Sequence, residues 1–208
     1  MRQKKSDITS RPTYAIIVDG ECEVWYFQML KRNEKDLAIN VEPLIPQRKS
    51  LTDQFEMAVK LAKVYTKVFW IIDFDVINRE ARATPKGEKS ALVRFHEFSH
   101  RTKKETTNIE VIVNNPCLEF WLLQHFEQTG KYYDDCGGAE RQLRKHLADY
   151  EKTRKYYTKE GNDIFLRLKS KLKQAIKNSK KLGSFDIKAP RSPITEMHLL
   201  LNSIIPEN

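Results

Sequence analysis

Four acidic residues carry the strongest chemical signal in the chain, and they come in two pairs. Tyr14-Ala15-Ile16-Ile17-Val18 runs into Asp19 and Gly20, and Glu23 follows three residues later. Lys67-Val68-Phe69-Trp70-Ile71-Ile72 runs into Asp73-Phe74-Asp75. Each apolar run reads as a strand buried on both faces. Each acid pair therefore stands where a strand ends, and open α/β sheets keep their ligands in the crevice there. On an extended chain, residues two apart face the same way, so Asp73 and Asp75 are expected on one side. If the two strands are neighbours, Asp19, Glu23, Asp73 and Asp75 converge. Carboxylates that close repel one another unless a cation joins them. A hard divalent ion with oxygen ligands, Mg²⁺ or Mn²⁺, fits that need. Its task would be to activate water, stabilise phosphate charge, or both.

Other residues could serve the same chemistry. Glu119, at the start of an apolar helix after Asn114-Asn115-Pro116, can reach back as a further metal ligand or as a partner of one; as an ordinary helix-start acid it would do neither. Glu21 reads as solvent-facing or as a helix-dipole partner. Lys152 is a candidate cation for the charge that develops in phosphodiester cleavage. A competing constellation is His96-Glu97-Phe98-Ser99-His100, the H-E-x-x-H of zinc peptidases, with Glu119 as a third ligand. That reading leaves both acid pairs unexplained.

Strand–turn–helix units must position these groups. Gly20 suits a tight turn and a close approach to the backbone. Val24, Phe27 and Leu30 then mark one face of a helix that fades through Lys31-Arg32-Asn33. A second strand is expected over 39–45, a second helix from Leu51 to about Thr66, and a third strand over 68–73. Residues 76–90, polar and holding Pro85 and Gly87, read as a loop. A helix through Leu92, Phe95 and Phe98, a strand over 109–113, and an apolar helix through Phe126 follow. The alternation predicts an α/β, Rossmann-like parallel sheet of about four strands with helices on its faces. After Gly137-Gly138 the spacing is helical. Phe165, Leu168, Leu172 and Ile176 form one stripe, and Ser192-Pro193 caps a last helix lined by Ile194, Met197, Leu201 and Ile204.

The motifs together resemble a known family. An acid-Gly-x-x-Glu turn after the first strand, with D-x-D after a later one, is similar to the Toprim domain of topoisomerases, bacterial primases and OLD nucleases. DGECEVWYF resembles the E-G-x-T-E-x-x-Y-F of the RloB-like Toprim proteins. Asn114 to Phe126, NNPCLEFWLLQHF, resembles their N-P-C-x-E-x-W-L-L, and Tyr150-Glu151-Lys152 and Pro193-Ile194-Thr195-Glu196-Met197-His198 fit their pattern. The likeness runs from about Tyr14 to Ile205. It departs at Asp19, where the family has Glu, and at Cys22, where it has Thr. It implies a Toprim-like fold and metal-dependent phosphodiester hydrolysis of nucleic acid in bacterial antiphage defence or abortive infection, with an ATPase encoded nearby as a partner. The catalytic residues expected are Glu23, Asp19 and Lys152. The metal ligands expected are Asp19, Glu23, Asp73, Asp75 and Glu119.

Composition bounds the rest. The formal net charge is +9, and from Ala139 onward 16 Lys and Arg face 8 acids, against 21 and 20 before it. That excess is read either as a grip on a phosphate backbone, through Lys169, Lys171, Lys173 and Lys177, or as a solvated helical face. A membrane-surface role is disfavoured by a narrow apolar stripe without Trp. Expected divisions are a basic arm over 1–12, a catalytic domain over 13–136, and a basic helical extension over 137–208 packed on it. No run is long enough to span a membrane, and the start has no apolar signal region, so a cytoplasmic protein is expected. The odd set Cys22, Cys117 and Cys136, without C-x-x-C spacing, reads as reduced thiols and not as a zinc site. No G-x-G-x-x-G and no Walker lysine is present, so ATP binding in this chain is not indicated. DNA, RNA and tRNA are all open as substrates. A binding subunit of a defence complex with little activity of its own is the alternative from a different class.

Overall fold

The structure, a computed structural model, describes residues 12–18, 20–34, 40–44 (backbone only) and 50–205. Its frame is a five-stranded sheet in the order β2-β1-β3-β4-β5. The strands are β1 (Thr13–Ile17), β2 (Asn40–Leu44), β3 (Lys67–Asp73), β4 (Ile109–Asn115) and β5 (Ile194–Thr195). The first four are parallel, and β5 pairs antiparallel with the end of β4, Asn114 opposite Thr195. Among the described residues the helices are α1 (Glu21–Asn33), α2 (Leu51–Leu61), α3 (Phe74–Ala83), α4 (Ala91–Glu105), α5 (Leu118–Leu123), α6 (Cys136–Leu143), α7 (Arg154–Tyr157), α8 (Ile164–Lys169), α9 (Leu172–Lys181) and α10 (Met197–Ile204).

The period of two along the strands divides the core. Ile16, Val18, Phe69, Ile71 and Ile112 face one layer, where α1, α5 and the C-terminal helices bury Val24, Phe27, Trp121, Phe165 and Leu201. Ala15, Ile17, Val68, Trp70, Ile72 and Val113 face the other, against Phe55, Ile77 and Phe95 of α2, α3 and α4. Both faces are covered, which is why these strands read as continuous apolar runs.

Several expectations are corrected. Residues 76–90 are not all loop: α3 occupies 74–83, with Phe74 and Ile77 on its buried side. The last helix begins at Met197, because Ile194 and Thr195 join the sheet as β5 and Thr195 Oγ1 donates to Asn114 Oδ1 at 2.7 Å. The Phe165-to-Ile176 stripe belongs to two helices, α8 and α9, that share one core layer. The boundary expected at 136/137 falls inside α6, whose N-cap Asp135 accepts from the Gly138 N–H at 2.9 Å. A Cβ on Gly138 would lie 3.1 Å from the Tyr133 ring, so the glycine lets the helix start pack closely. Buried Asp163, the N-cap of α8, accepts from Arg32 at 3.1 Å and Asn33 at 3.0 Å and ties the C-terminal helices to the end of α1.

Candidate functional site

The parallel strands β1, β3 and β4 all end on one side of the sheet, and a cleft of about 270 Å³ opens there. Gly20, Cys22, Glu23, Trp25, Asp73, Glu119 and Lys152 are among the residues lining it. Asp19, expected as a ligand and catalytic group, lies outside the described residues. Gly20 is the N-cap of α1 in extended conformation. A Cβ there would stand 2.6 Å from Glu23 Oε2, so what approaches the backbone at this turn is the Glu23 carboxylate. Glu23, in the first turn of α1, is buried at 5% exposure and hydrogen-bonds Asp73.

Asp73 is the last residue of β3 and the N-cap of α3. Its carboxyl accepts from the Leu118 N–H at 3.4 Å and from Asn114 Nδ2 at 3.5 Å. Burial, then the charges of Glu23, Glu119 and Asp75, push it well above the usual carboxylate range. Asp75 is displaced from the position expected for it. It falls in the first turn of α3, so strand alternation does not apply, and its Oδ2 accepts from the Cys136 N–H at 3.2 Å. It lines a neighbouring cleft of about 420 Å³ with Arg79, Arg82, Asp134 and Asp135. Burial raises its pKa, with the Cys136 N–H, Arg79 and Lys152 opposing.

Glu119 sits in the first turn of α5 at 2% exposure. Its Oε1 accepts from Tyr150 Oη at 2.6 Å and pairs with Lys152 Nζ at 2.8 Å. Tyr150 Oη is also 2.6 Å from Tyr157 Oη. Burial pulls the Lys152 ammonium down, but the charge and hydrogen bond of Glu119, with Glu140 behind, outweigh it and leave its pKa raised. Burial, with Glu23 and Glu119, pushes the Cys22 thiol up to about 12, so it is no nucleophile near neutral pH.

Of the predicted residues, Glu23, Asp73, Glu119 and Lys152 thus share one cleft, with Asp75 beside it. Among the described residues no three of these carboxylates bring ligand atoms within 4.8 Å of one another; the group that does is Cys117, Glu119 and Cys136. Cys117 and Cys136 are joined by a disulfide, which corrects the reading of all three cysteines as reduced; Cys22 is free. Their separation of 19 residues and the odd count hid the pairing. The phenols of Tyr150 and Tyr157 were also missed as a buried support for Glu119.

The basic residues lie elsewhere. Lys169, Lys171, Lys173 and Lys177 are exposed. Lys169 pairs with Glu34 at 3.0 Å, past the C-terminal end of α1 and about 17 Å along that helix from Glu23 at 1.5 Å per residue. Lys171 lies over the Phe126 ring at 4.5 Å. His96 and His100 are exposed on α4, and Glu97 pairs with Lys89 at 2.7 Å; among the described residues no third ligand joins them. Among the described residues no helix is long and apolar enough to cross a membrane.

A Rossmann-like sheet with a carboxylate cleft at its strand ends is the class the geometry defines. The RloB-like protein family model matches residues 14–204, and the chain belongs to that family. No curated protein and no solved structure matches it.

Proposed function

We propose that the chain is a Toprim-type phosphodiesterase that cleaves nucleic acid with Mg²⁺ or Mn²⁺, and that it serves bacterial antiphage defence. The observation that carries this reading is the carboxyl pair of buried Glu23 and half-buried Asp73 at the strand ends. Two carboxyls at hydrogen-bond distance, one of them buried, must share a proton or face a cation. Mg²⁺ is commonly held by one or two carboxylates together with phosphate and water, so the pair fits it. Glu23 and Asp73 would hold the ion, with Asp19 as the neighbouring ligand and Asp75 and Glu119 at its margin. A bound divalent cation supplies Lewis acidity toward a phosphoryl oxygen and lowers the pKa of water.

The chain's own groups do the rest. The Lys152 ammonium stands at the cleft and offsets negative charge on a phosphate placed there. Glu23 accepts a proton once the pair is no longer sharing one. Tyr150 fixes Glu119, and through it Lys152. The exposed Lys169, Lys171, Lys173 and Lys177 hold a nucleic-acid backbone away from the cleft. The defence role, and a separately encoded ATPase as partner, are proposed on family membership.

Purified protein incubated with plasmid DNA, single-stranded DNA and tRNA tests the proposal. Cleavage should require Mg²⁺ or Mn²⁺ and be lost in Glu23→Gln and Asp73→Asn, while Asp75→Asn keeps measurable activity. Absence of metal binding by calorimetry in the wild type would refute it. A second reading has one observation in its favour: Lys152 and Tyr150 already occupy Glu119, as in a binding subunit with little activity. Tight nucleic-acid binding without cleavage at any metal concentration would select it.

A further inference from the structure

The other oxygen of Glu119 makes contacts that phosphodiester chemistry does not use. Oε2 lies 2.9 Å from Cys117 Sγ and 2.7 Å from Cys136 Sγ. Cys117 is the N-cap of α5 and Cys136 the first residue of α6, so the pair ties together the starts of two helices beside the cleft. Cys117 is buried and Cys136 half-buried, so a reagent meets Cys136 first. Such a group could take a soft metal ion or act as a redox couple. Lys152 Nζ stands 3.2 Å from Cys136 Sγ and 2.8 Å from Glu119, and an ammonium there opposes a second cation. The redox couple is the better fit.

We propose that Cys117 and Cys136 are a redox-active pair, opened and re-formed in the folded protein by exchange with a dithiol, and that Glu119 responds to their state. On reduction the S–S bond breaks and each sulfur gains a proton. The two electrons come from the dithiol, which leaves as its own disulfide. In the disulfide neither sulfur carries a hydrogen. The buried Oε2 then faces two sulfurs with no donor, while Oε1 keeps Tyr150 and Lys152. In the dithiol both S–H groups point at an oxygen placed to accept them. A buried carboxylate oxygen given donors is stabilised over one left without, so Glu119 favours the reduced pair. Coupling of this kind is reciprocal: reduction gives Oε2 two donors, and oxidation removes them while Oε2 stays beside the sulfurs. Any effect of that change on metal affinity rests on the proposed function; the redox coupling does not.

The test needs neither metal nor nucleic acid, so its failure is separate from that of the phosphodiesterase reading. The full chain is equilibrated in graded mixtures of reduced and oxidised dithiothreitol, and thiols are trapped by alkylation under denaturing conditions and counted by mass. In the wild type two thiols beyond Cys22 should appear while circular dichroism stays native. Glu119→Gln and Glu119→Asp should each move the equilibrium toward the disulfide by about tenfold, the weight of one charge-assisted hydrogen bond. Equilibria within about twofold in all three proteins would overturn the coupling. A disulfide that opens only as the wild type unfolds would overturn the proposal outright, whether or not the variants fold.

Discussion

Acid should loosen the helix that carries Glu119, and His125 is where it acts. His125 follows α5 and is buried at 2% exposure. Its Nδ1 lies 3.1 Å from the Leu122 carbonyl and 3.3 Å from that of Trp121. Carbonyl oxygens only accept, so Nδ1 carries the hydrogen, and Nε2 is a buried lone pair without a partner. Protonation would place an N–H and a charge there with no acceptor. Burial, aided by the charge of Lys171, therefore lowers the pKa from 6.5 to about 4. A folded-state pKa below the unfolded one means that the unfolded chain binds more protons between these values. The contribution is whole above about pH 6.5 and is lost as pH falls through the window. Taking 6.5 unfolded and about 4 folded, the loss by pH 5 is about 2 kcal/mol. Asp73 works in the opposite sense, since its raised pKa stabilises the fold as pH falls. The raw pH profile is thus a composite, and the difference between proteins isolates the histidine. His125→Asn keeps a donor near the carbonyls and cannot be protonated. In urea unfolding at pH 8 and pH 5 at fixed ionic strength, the wild type should lose about 2 kcal/mol more than this variant. Equal losses in the two proteins would refute the assignment.

Three further outcomes are expected. Tyr150→Phe removes the 2.6 Å donor to Glu119 Oε1 and should cost roughly 1.5–3 kcal/mol in chemical unfolding, a loss under about 0.5 kcal/mol counting against it. Asp163→Ala removes the α8 cap and the partner of Arg32 and Asn33 together and should cost about 3 kcal/mol, whereas an Arg32→Gln change that costs as much would shift the weight to the ion pair. Reversal of Lys169, Lys171 and Lys173 to Glu should reduce the salt slope of nucleic-acid binding by about 2–3, and an unchanged slope would leave those lysines as a solvated face.

What could be read from the chain alone follows from where the physics is local. The strands β1, β3 and β4 are apolar runs because both sheet faces are covered, and that composition needs no partner to be recognised. Placing Glu23 and Asp73 at neighbouring strand ends was therefore legible. Asp75 was not, because its position depends on whether the chain leaves β3 before or after Phe74. That is decided by Phe74 packing under Phe95 and Phe185, two distant residues. The helix α3 is mostly polar, and its few buried side chains acquire meaning only against α4. The strand β5 is two residues held by Asn114 and by the Glu196 carboxylate on the Val113 N–H, contacts more than 80 residues apart in sequence. The break between α8 and α9 lacks Pro or Gly, and one shared core hides it in an unbroken apolar stripe. The parts of the site divide in the same way. Carboxylates at strand ends are announced by the strands that carry them. The contacts of Glu119 with Tyr150 and with the Cys117–Cys136 disulfide join three separate segments through the tertiary fold, and no spacing along the chain could have shown them.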